Sequence, residues 1–360
     1  MSRSADPRRI LLIKPSSLGD VVHALPVLAA LRRAWPQAHI AWLVNSAFAP
    51  LLERHPLLDE TIVFDRRTYG RMLRSRRAAA AFIRFARDLR ARQFDLVVDL
   101  QGLFRSGFLS WASGAPQRVG FAGAREFAWL FYTRRIRPPA AARHAVDRNV
   151  HLARALDLPV TAEFPLPVAE DERRSARALL QAAAGRPVPH FLAVLPGARW
   201  ESKRWPAARF ADLIEDLSTY DSAVCVLLGA PDERPCATEI LARCKAPLID
   251  LVGRTSLPML VALLAEADLV ISNDSGPLHL AAALHRPLVA LFGPTSPART
   301  GPYSDTARVV QRPLPCAPCF RRRCPLGHHD CLQGLPVDAV LHSVRELRWT
   351  GHPPAQPSLP

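Results

Sequence analysis

Short apolar runs punctuate the chain, separated by longer stretches in which apolar residues recur every three or four positions. Runs at residues 10–13, 40–44, 61–64 and 96–100 have the length and composition of strands buried on both faces. Between the first two, residues 21–35 carry helical spacing. A second series follows at 191–195, 224–228, 248–252, 269–272 and 288–292. Alternation of this kind predicts parallel sheets covered by helices on both faces. Two successive series, in a chain of 360 residues, predict two doubly wound α/β domains. The expected division is 1–170 and 171–348, with the join in a proline- and alanine-rich stretch at 161–189 that contains a polar helix near 171–184. Residues 349–360 form a proline-rich tail expected to fray.

Composition narrows the class. Hydrophobic residues make up 49% and charged residues 22%, as in globular proteins. Glu266, Asp268, His285 and Arg286 interrupt the longest apolar stretches, none of which approaches the ~20 residues needed to span a bilayer. The run at 10–13 is ended at once by Lys14, too soon for a signal peptide, so a cytoplasmic location is expected. Lys+Arg minus Asp+Glu is 47 − 32 = +15, which favours a polyanionic partner: nucleic acid, an anionic membrane or a phosphorylated substrate. No nucleic-acid motif with interleaved aromatics is present, and no nucleic-acid partner is expected. Lys14, Lys203 and Lys245 are the only lysines in an arginine-rich chain, so each merits scrutiny. Ten arginines fall within 66–92, beside an apolar face of Phe82, Ile83, Phe85 and Leu89. Such an arginine run is either a solvated helix face or a contact for anionic lipid head groups or for an acidic, phosphorylated acceptor.

In doubly wound sheets, ligands bind beyond the carboxyl ends of the strands, and the turns at those ends carry the candidate chemistry. Lys14-Pro15-Ser16-Ser17-Leu18-Gly19-Asp20 leaves the first strand toward a helix expected to open at Val21. Asp20 reads either as an N-cap or as a general base for an acceptor hydroxyl, and the two roles compete because capping hydrogen bonds lower basicity. Ser16 and Ser17 either bind substrate or satisfy the turn, and Gly19 permits close approach. In the second domain, Pro196-Gly197-Ala198-Arg199 follows the first strand, and Lys203 and Arg204 stand before a helix expected from Ala207. Cations beside free helical N–H groups suit a diphosphate, the bland alternative being a solvated loop. Asn273-Asp274-Ser275-Gly276 ends another strand and opens a helix whose N–H groups, with the Ser275 hydroxyl, suit an anion. Asp274 would repel phosphate, so it is expected to face sugar hydroxyls or to orient the turn. His279 is a core, capping or ligand-contacting histidine. Asp232 or Glu233, after the 224–228 strand, could accept from a ribose hydroxyl.

The joint order of these turns resembles glycosyltransferase family nine, the heptosyltransferases of lipopolysaccharide core synthesis. The resemblance spans nearly the whole chain. It rests on Lys14–Asp20 with Val22-His23-Ala24-Leu25-Pro26, on Asp99-Leu100-Gln101-Gly102-Leu103 with Arg105-Ser106, and on Pro196-Gly197-Ala198 with Lys203-Arg204-Trp205-Pro206. Asn273-Asp274-Ser275-Gly276, His279 and Gly293-Pro294-Thr295-Ser296-Pro297 complete it. The resemblance implies GT-B architecture, with two Rossmann-like domains facing across a cleft. It implies an inverting enzyme transferring heptose from ADP-heptose to a Kdo-lipid A or heptosyl-Kdo-lipid A acceptor, at the cytoplasmic face of the inner membrane. Asp20 is then the catalytic base. Lys203, Arg204, Asp274, Ser275, Gly276, His279, Gly197 and Thr295 bind the donor, and Ser16, Ser17, Gly19, Gln101 and Arg105 bind the acceptor. No cofactor is required for catalysis. The N-terminal motif looks more like the first heptosyltransferase of the pathway, and residues 273–297 more like the second.

Cys316-x2-Cys319-x4-Cys324-x6-Cys331, with His328 and His329, forms a compact cluster stiffened by Pro315, Pro318 and Pro325. It reads as a structural zinc or iron–sulfur site, or as free thiols. Two other functions fit less of the chain. A nucleotide-sugar epimerase or hydrolase of the same architecture would turn over donor without acceptor. A non-enzymatic polyanion binder would show steep salt dependence.

Overall fold

The computed structural model describes residues 6–71, 74–220 and 224–347, so the expected tail at 349–360 lies outside the described residues. The chain divides into two compact units, Met1–Pro167 and Val168–Pro360. In the first, six strands pair in parallel: β1 (Arg9–Ile13), β2 (His39–Asn45), β3 (Glu60–Phe64), β4 (Leu96–Asp99), β5 (Gln117–Phe121) and β6 (Arg134–Ile136). Their spatial order is β3-β2-β1-β4-β5-β6. The second unit has β7 (Leu192–Leu195), β8 (Cys225–Leu227), β9 (Leu248–Asp250), β10 (Leu269–Asn273), β11 (Leu288–Phe292) and β12 (Ala307–Gln311). Its order, β12-β11-β10-β7-β8-β9, is the same doubly wound pattern.

The central strands form because their side chains can be buried on both faces. Ile10, Leu11, Leu12 and Ile13 of β1 and every residue of β11 are sealed from solvent. Three strands escaped the periodicity reading. β5 and β6 begin with polar residues, and β12 exposes Arg308 and Val309 at the sheet edge, so none reads as a continuous apolar run.

The helix expected over 21–35 is two helices, Leu18–Val22 and Leu25–Ala34, broken at His23 and Ala24. Pro26 is the cause. It has no N–H to offer the preceding turn and its ring crowds that turn's carbonyl, yet it is tolerated in the first turn of a new helix.

Register fixes where the turns lie. Ile13 pairs with Leu43 on one side and Asp99 on the other, so the chain leaves β1 and β4 at one sheet edge. These neighbours are where the strand order reverses, and β7 and β10 hold the same place in the second unit. Crevices in doubly wound sheets open at such reversals.

Candidate functional site

At the first edge the helix begins at Leu18, earlier than expected, and Ser17 rather than Asp20 is the N-cap. Asp20 is the third helical residue. Its Oδ2 accepts from the Ser17 N–H at 2.8 Å and the Ser17 hydroxyl at 2.7 Å. Its Oδ1 lies 3.5 Å from Lys14 Nζ, and the side chain stays 40% exposed. Burial of the carboxyl disfavours its charge, but the Lys14 ammonium, the two Ser17 donors and His23 outweigh that and hold its pKa down to about 2. Asp20 is therefore a fixed, ionised and accessible carboxylate. Lys14, which the spacing did not assign, also donates to the Leu100 carbonyl at 2.9 Å, tying the β1 turn to the β4 turn.

The β4 turn is built on Asp99, which is sealed from solvent. Its Oδ1 accepts from the N–H groups of Gln101 at 2.8 Å and Gly102 at 3.2 Å, while Oδ2 accepts from the Tyr132 hydroxyl at 2.6 Å. Burial pushes the Asp99 carboxyl up, and burial with the adjacent Asp99 charge pushes the Tyr132 hydroxyl up, so tyrosine remains the donor. Gly102 takes φ +65°, open to glycine and strained for other residues. The Gln101 side-chain oxygen is buried without a hydrogen-bond partner among the described residues. The Arg105 guanidinium lies 5.9 Å from the centre of the Phe64 ring, so the structure records it over an aromatic face rather than on Asp20.

At the second edge, Asn273 at the end of β10 organises three segments. Its Nδ2 donates to the Pro196 carbonyl at 2.6 Å, and its Oδ1 accepts from the Trp205 N–H at 3.2 Å. Trp205 is fully buried and anchors through Nε1 to the Leu335 carbonyl at 3.0 Å, which fixes the turn carrying Lys203. Lys203 Nζ is 2.7 Å from Asp274 Oδ2, with side chains 18% and 5% exposed. The Thr295 hydroxyl donates to the same oxygen. Three predicted donor residues thus meet in one cluster, and Asp274 orients the turn and pairs with the lysine. The lysine also sits 4.8 Å from the Trp200 ring centre.

Ser275 caps the helix Gly276–Ala283. Ser275, Gly276 and Pro277 are partly open while the residues on either side are buried. Pro277 has no N–H, so among the first three helical residues only Gly276 and Leu278 have an N–H to offer a ligand. The Ser275 hydroxyl lies 3.3 Å from that of Ser272. His279 is a buried residue at 7% exposure. Arg204 Nε donates to the Ala198 carbonyl at 2.8 Å. Glu233 folds over Gly197 and accepts from the Ala230 N–H at 2.8 Å, and burial pushes its carboxyl up. Asp232 is exposed. Sequence reading missed an open basic cavity of ≈ 380 Å³ lined by Arg199, Trp200, Glu201, Arg204, Arg322 and Arg323. Its halves are more than a hundred residues apart, beyond the reach of any local pattern.

The four clustered cysteines are free thiols. They line one cavity, but among the described residues no three metal-ligating side chains are grouped so as to hold an ion. Outside that cluster, Cys225 is buried in the core and its thiol is pushed up to about 12, first by burial and then by Cys244.

One edge therefore presents a fixed carboxylate, and the other a cation with helix-start N–H groups. A fixed carboxylate suits proton abstraction, and a cation beside helix-start N–H groups suits an anionic leaving group. Comparison with known proteins agrees. The model of glycosyltransferase family 9 (heptosyltransferase) matches residues 82–329. Lipopolysaccharide heptosyltransferase 1 of Pseudomonas aeruginosa is 35% identical over 88% of this chain and 87% of its own length. Lipopolysaccharide heptosyltransferase 2 of Escherichia coli K12 is 31% identical over 94% of this chain and 98% of its own. The solved structure of E. coli heptosyltransferase WaaC with ADP superposes with a TM-score of 0.74 at 28% identity, covering 94% of this chain and 99% of that one. The two doubly wound units are those of the GT-B architecture, and the chain belongs to glycosyltransferase family 9, the heptosyltransferases.

Proposed function

We propose that this enzyme transfers heptose from ADP-heptose to the inner core of lipopolysaccharide, with Kdo-lipid A or heptosyl-Kdo-lipid A as acceptor. The observation that carries the reading is the meeting of Lys203, Asp274 and Thr295 beside the open start of the Gly276–Ala283 helix. The diphosphate of the donor lies against that helix start and Lys203. Gly197 allows the backbone to approach it, and Arg204 adds positive charge. Asp274, held by Thr295, faces the sugar hydroxyls.

Transfer is a single displacement with inversion. The acceptor hydroxyl, placed by Ser16, Ser17, Gly19, Gln101 and Arg105, loses its proton to Asp20 as its oxygen bonds to the anomeric carbon. The bond from that carbon to the diphosphate oxygen breaks, and ADP departs with the electron pair, its charge met by Lys203 and the helix N–H groups. The step balances without a cofactor. Lys14 and Ser17 hold the Asp20 carboxylate in one orientation, at some loss of basicity.

The first unit also carries the features of a surface for an anionic bilayer. The helix Arg76–Ala91 exposes Arg76, Arg77, Arg84, Arg87 and Arg90 together with Ile83. Phe104, Trp111, Phe127 and Leu130 are exposed on the segments Phe104–Ala112 and Ala128–Phe131 and on the residue before the latter. Aromatic side chains with arginines suit a head-group interface on the cytoplasmic side of the inner membrane. Among the described residues no helix is long and apolar enough to cross a membrane.

Incubation with ADP-heptose and a heptose-free, Kdo-bearing lipid A, or with the same acceptor already carrying one heptose, tests the reading. The expected product is heavier by one heptose. No product with either acceptor overturns the function, and complete donor breakdown without acceptor points to a hydrolase or epimerase instead.

A further inference from the structure

Residues 312–329 connect β12 to the helix Asp330–Gln333 without any helix or strand of their own. Structureless connections of more than about 12–15 residues are uncommon in compact domains unless something fixes or employs them. This one is pinned to both donor-site turns. The Ser202 hydroxyl donates to the Arg321 carbonyl at 2.6 Å, and the Ser202 N–H to the Arg322 carbonyl at 3.3 Å. His329 Nε2 lies 2.7 Å from the Ser202 carbonyl, and the Phe320 N–H donates to the Pro294 carbonyl at 2.8 Å. Ser202 precedes Lys203 and Pro294 precedes Thr295. Arg321 and Arg322 contribute main-chain atoms to these anchors, not their guanidinium groups.

The anchoring brings Arg322 and Arg323 to the open cavity of ≈ 380 Å³ that they line with Arg199, Trp200, Glu201 and Arg204. Four arginines against one glutamate leave an excess of 4 − 1 = 3 positive charges. The glutamate is already engaged, its Oε2 lying 3.7 Å from Arg323 Nε, with both side chains well exposed. Arg204 is held in place by its Nε on the Ala198 carbonyl at 2.8 Å. The Arg322 guanidinium lies 5.9 Å from the centre of the Trp200 ring, and Lys203 Nζ lies 4.8 Å from the same ring. One indole thus carries both a cation of the loop and the cation of the donor site. Like charges gathered in this way repel one another, and an anion among them relieves the repulsion. The planar forks of arginine match a carboxylate or a phosphate with two parallel hydrogen bonds.

We propose that this cavity is a subsite for one oxyanion of the acceptor, a sugar-acid carboxylate or a lipid A phosphate, and that Arg322 and Arg323 bind it. Lys203, Asp274, Ser275 and Gly276, the residues that carry the donor reading, do not line the cavity. ADP-heptose bears negative charge only on its diphosphate, which those residues meet. A second anionic group arriving at this turn during transfer therefore belongs to the other substrate. Kdo is a carboxylic acid and lipid A carries phosphates, so the acceptor has both kinds of oxyanion. Its hydroxyl must come within bonding distance of an anomeric carbon held at the Lys203 turn, and its charged groups are brought beside that turn with it. The inference rests on the transferase reading and adds to it the group by which the acceptor is held.

Transfer rates of the full-length protein, measured against acceptor concentration at saturating ADP-heptose, test the subsite. Arg322→Ala with Arg323→Ala should raise the acceptor KM by about 10-fold or more and leave the ADP dissociation constant within about twofold. Arg321→Ala, beside the cavity but not in its lining, should match the parent. Two altered acceptors identify the oxyanion: one with the Kdo carboxylate methylated, one with lipid A dephosphorylated. Loss of the group that the cavity holds should cost the parent about 10-fold in KM and cost the double variant nothing further. An unchanged acceptor KM in the double variant overturns the subsite. So does a defect that appears in ADP binding instead, or a response to both altered acceptors that is the same in variant and parent. Should the alanine pair fail to fold, Arg322→Gln alone is measured in its place and read in the same way. A parent that forms no product refutes the transferase reading and the subsite with it, whereas an active parent matched by the variant refutes the subsite alone.

Discussion

Lys203 and Asp274 are ion-paired at 2.7 Å, so the cation assigned to the donor diphosphate is neutralised by a carboxylate before any nucleotide arrives. On the proposed reading, a diphosphate at this turn would share Lys203 with Asp274 or draw it away. The pair also explains how an acidic residue can stand at an anion site without repelling the ligand: its charge is already met by the lysine and the Thr295 hydroxyl.

Lys203→Ala should weaken ADP about 10- to 100-fold, the range for losing charge-assisted hydrogen bonds. Asp274→Asn should behave oppositely toward ADP. It keeps a partner for Thr295 and frees the lysine, so ADP affinity stays level or rises. Transfer from ADP-heptose should nevertheless fall, because a carboxylate facing the sugar is lost. Calorimetry with ADP beside steady-state rates separates the two. Parent-like ADP binding by Lys203→Ala removes that residue from the site.

Asp20→Asn should reduce kcat by ~10²-fold or more while leaving ADP affinity within a small factor, as for loss of a general base. The amide preserves size and the hydrogen bond from the Ser17 hydroxyl, and a melting curve beside the kinetics separates loss of the base from loss of the ion pair with Lys14. Near-normal turnover by Asp20→Asn would leave the residue a role only in closing the helix start on Ser17.

Lys14→Met tests how the base is tuned. In the folded chain the Asp20 carboxyl is held down to about 2, below the ordinary carboxylate range. Its ion pair therefore contributes stability above the unfolded value, and that contribution is lost as pH falls through about 2. In the parent, any acid limb of kcat/KM near neutrality belongs to another group. Without the Lys14 ammonium, burial is opposed only by Ser17 and His23, and the Asp20 pKa moves up toward or past the ordinary value of about 4. The profile of Lys14→Met should thus acquire an acid limb absent from the parent. Superimposable profiles would mean that Asp20 does not govern the rate.

These residues differ in how far the sequence exposed them. The central strands were readable because burial on both faces leaves an uninterrupted apolar run, as at 10–13 and 288–292. The turns at their carboxyl ends were readable for the same reason, since Asp20, Gly197 and Asp274 each follow such a run. Lys14 was visible only as a rare lysine, because its carbonyl partner on Leu100 lies 86 residues away. The Lys203–Asp274 pair, 71 positions apart by number (274 − 203), left no local trace. The helix break at His23 was readable from Pro26 but masked by apolar spacing that continues through it.

Arg84→Glu with Arg87→Glu reverses charge at two exposed positions one helical turn apart on Arg76–Ala91. Co-sedimentation with vesicles containing anionic phospholipid should fall by about 10-fold or more, at ~1 kcal/mol per basic residue near a charged surface. Activity toward a detergent-dispersed acceptor should be unchanged. Equal sedimentation of variant and parent would exclude this helix from the membrane contact.

Gly197→Ala distinguishes two reasons for a glycine at the end of β7. An added Cβ would stand 2.0 Å from the Glu233 carboxyl carbon and 2.1 Å from its Oε1, far inside contact distance. Either Glu233 must leave its place beside the Ala230 N–H, or the backbone of the β7 turn must shift. Overpacking of this kind costs about 1–3 kcal/mol, and its effect on ADP binding should be of similar size, roughly 10-fold or more. The outcome with Glu233→Ala added decides the cause. If the clash is with the side chain, the second substitution makes room and ADP affinity returns toward that of Glu233→Ala alone. If the glycine is needed because the diphosphate approaches the main chain at 197, the methyl group remains in the ligand's way and no rescue follows. The proposed diphosphate contact predicts no rescue; full rescue would leave Gly197 only the task of making room for Glu233, which lies where the new methyl group would point.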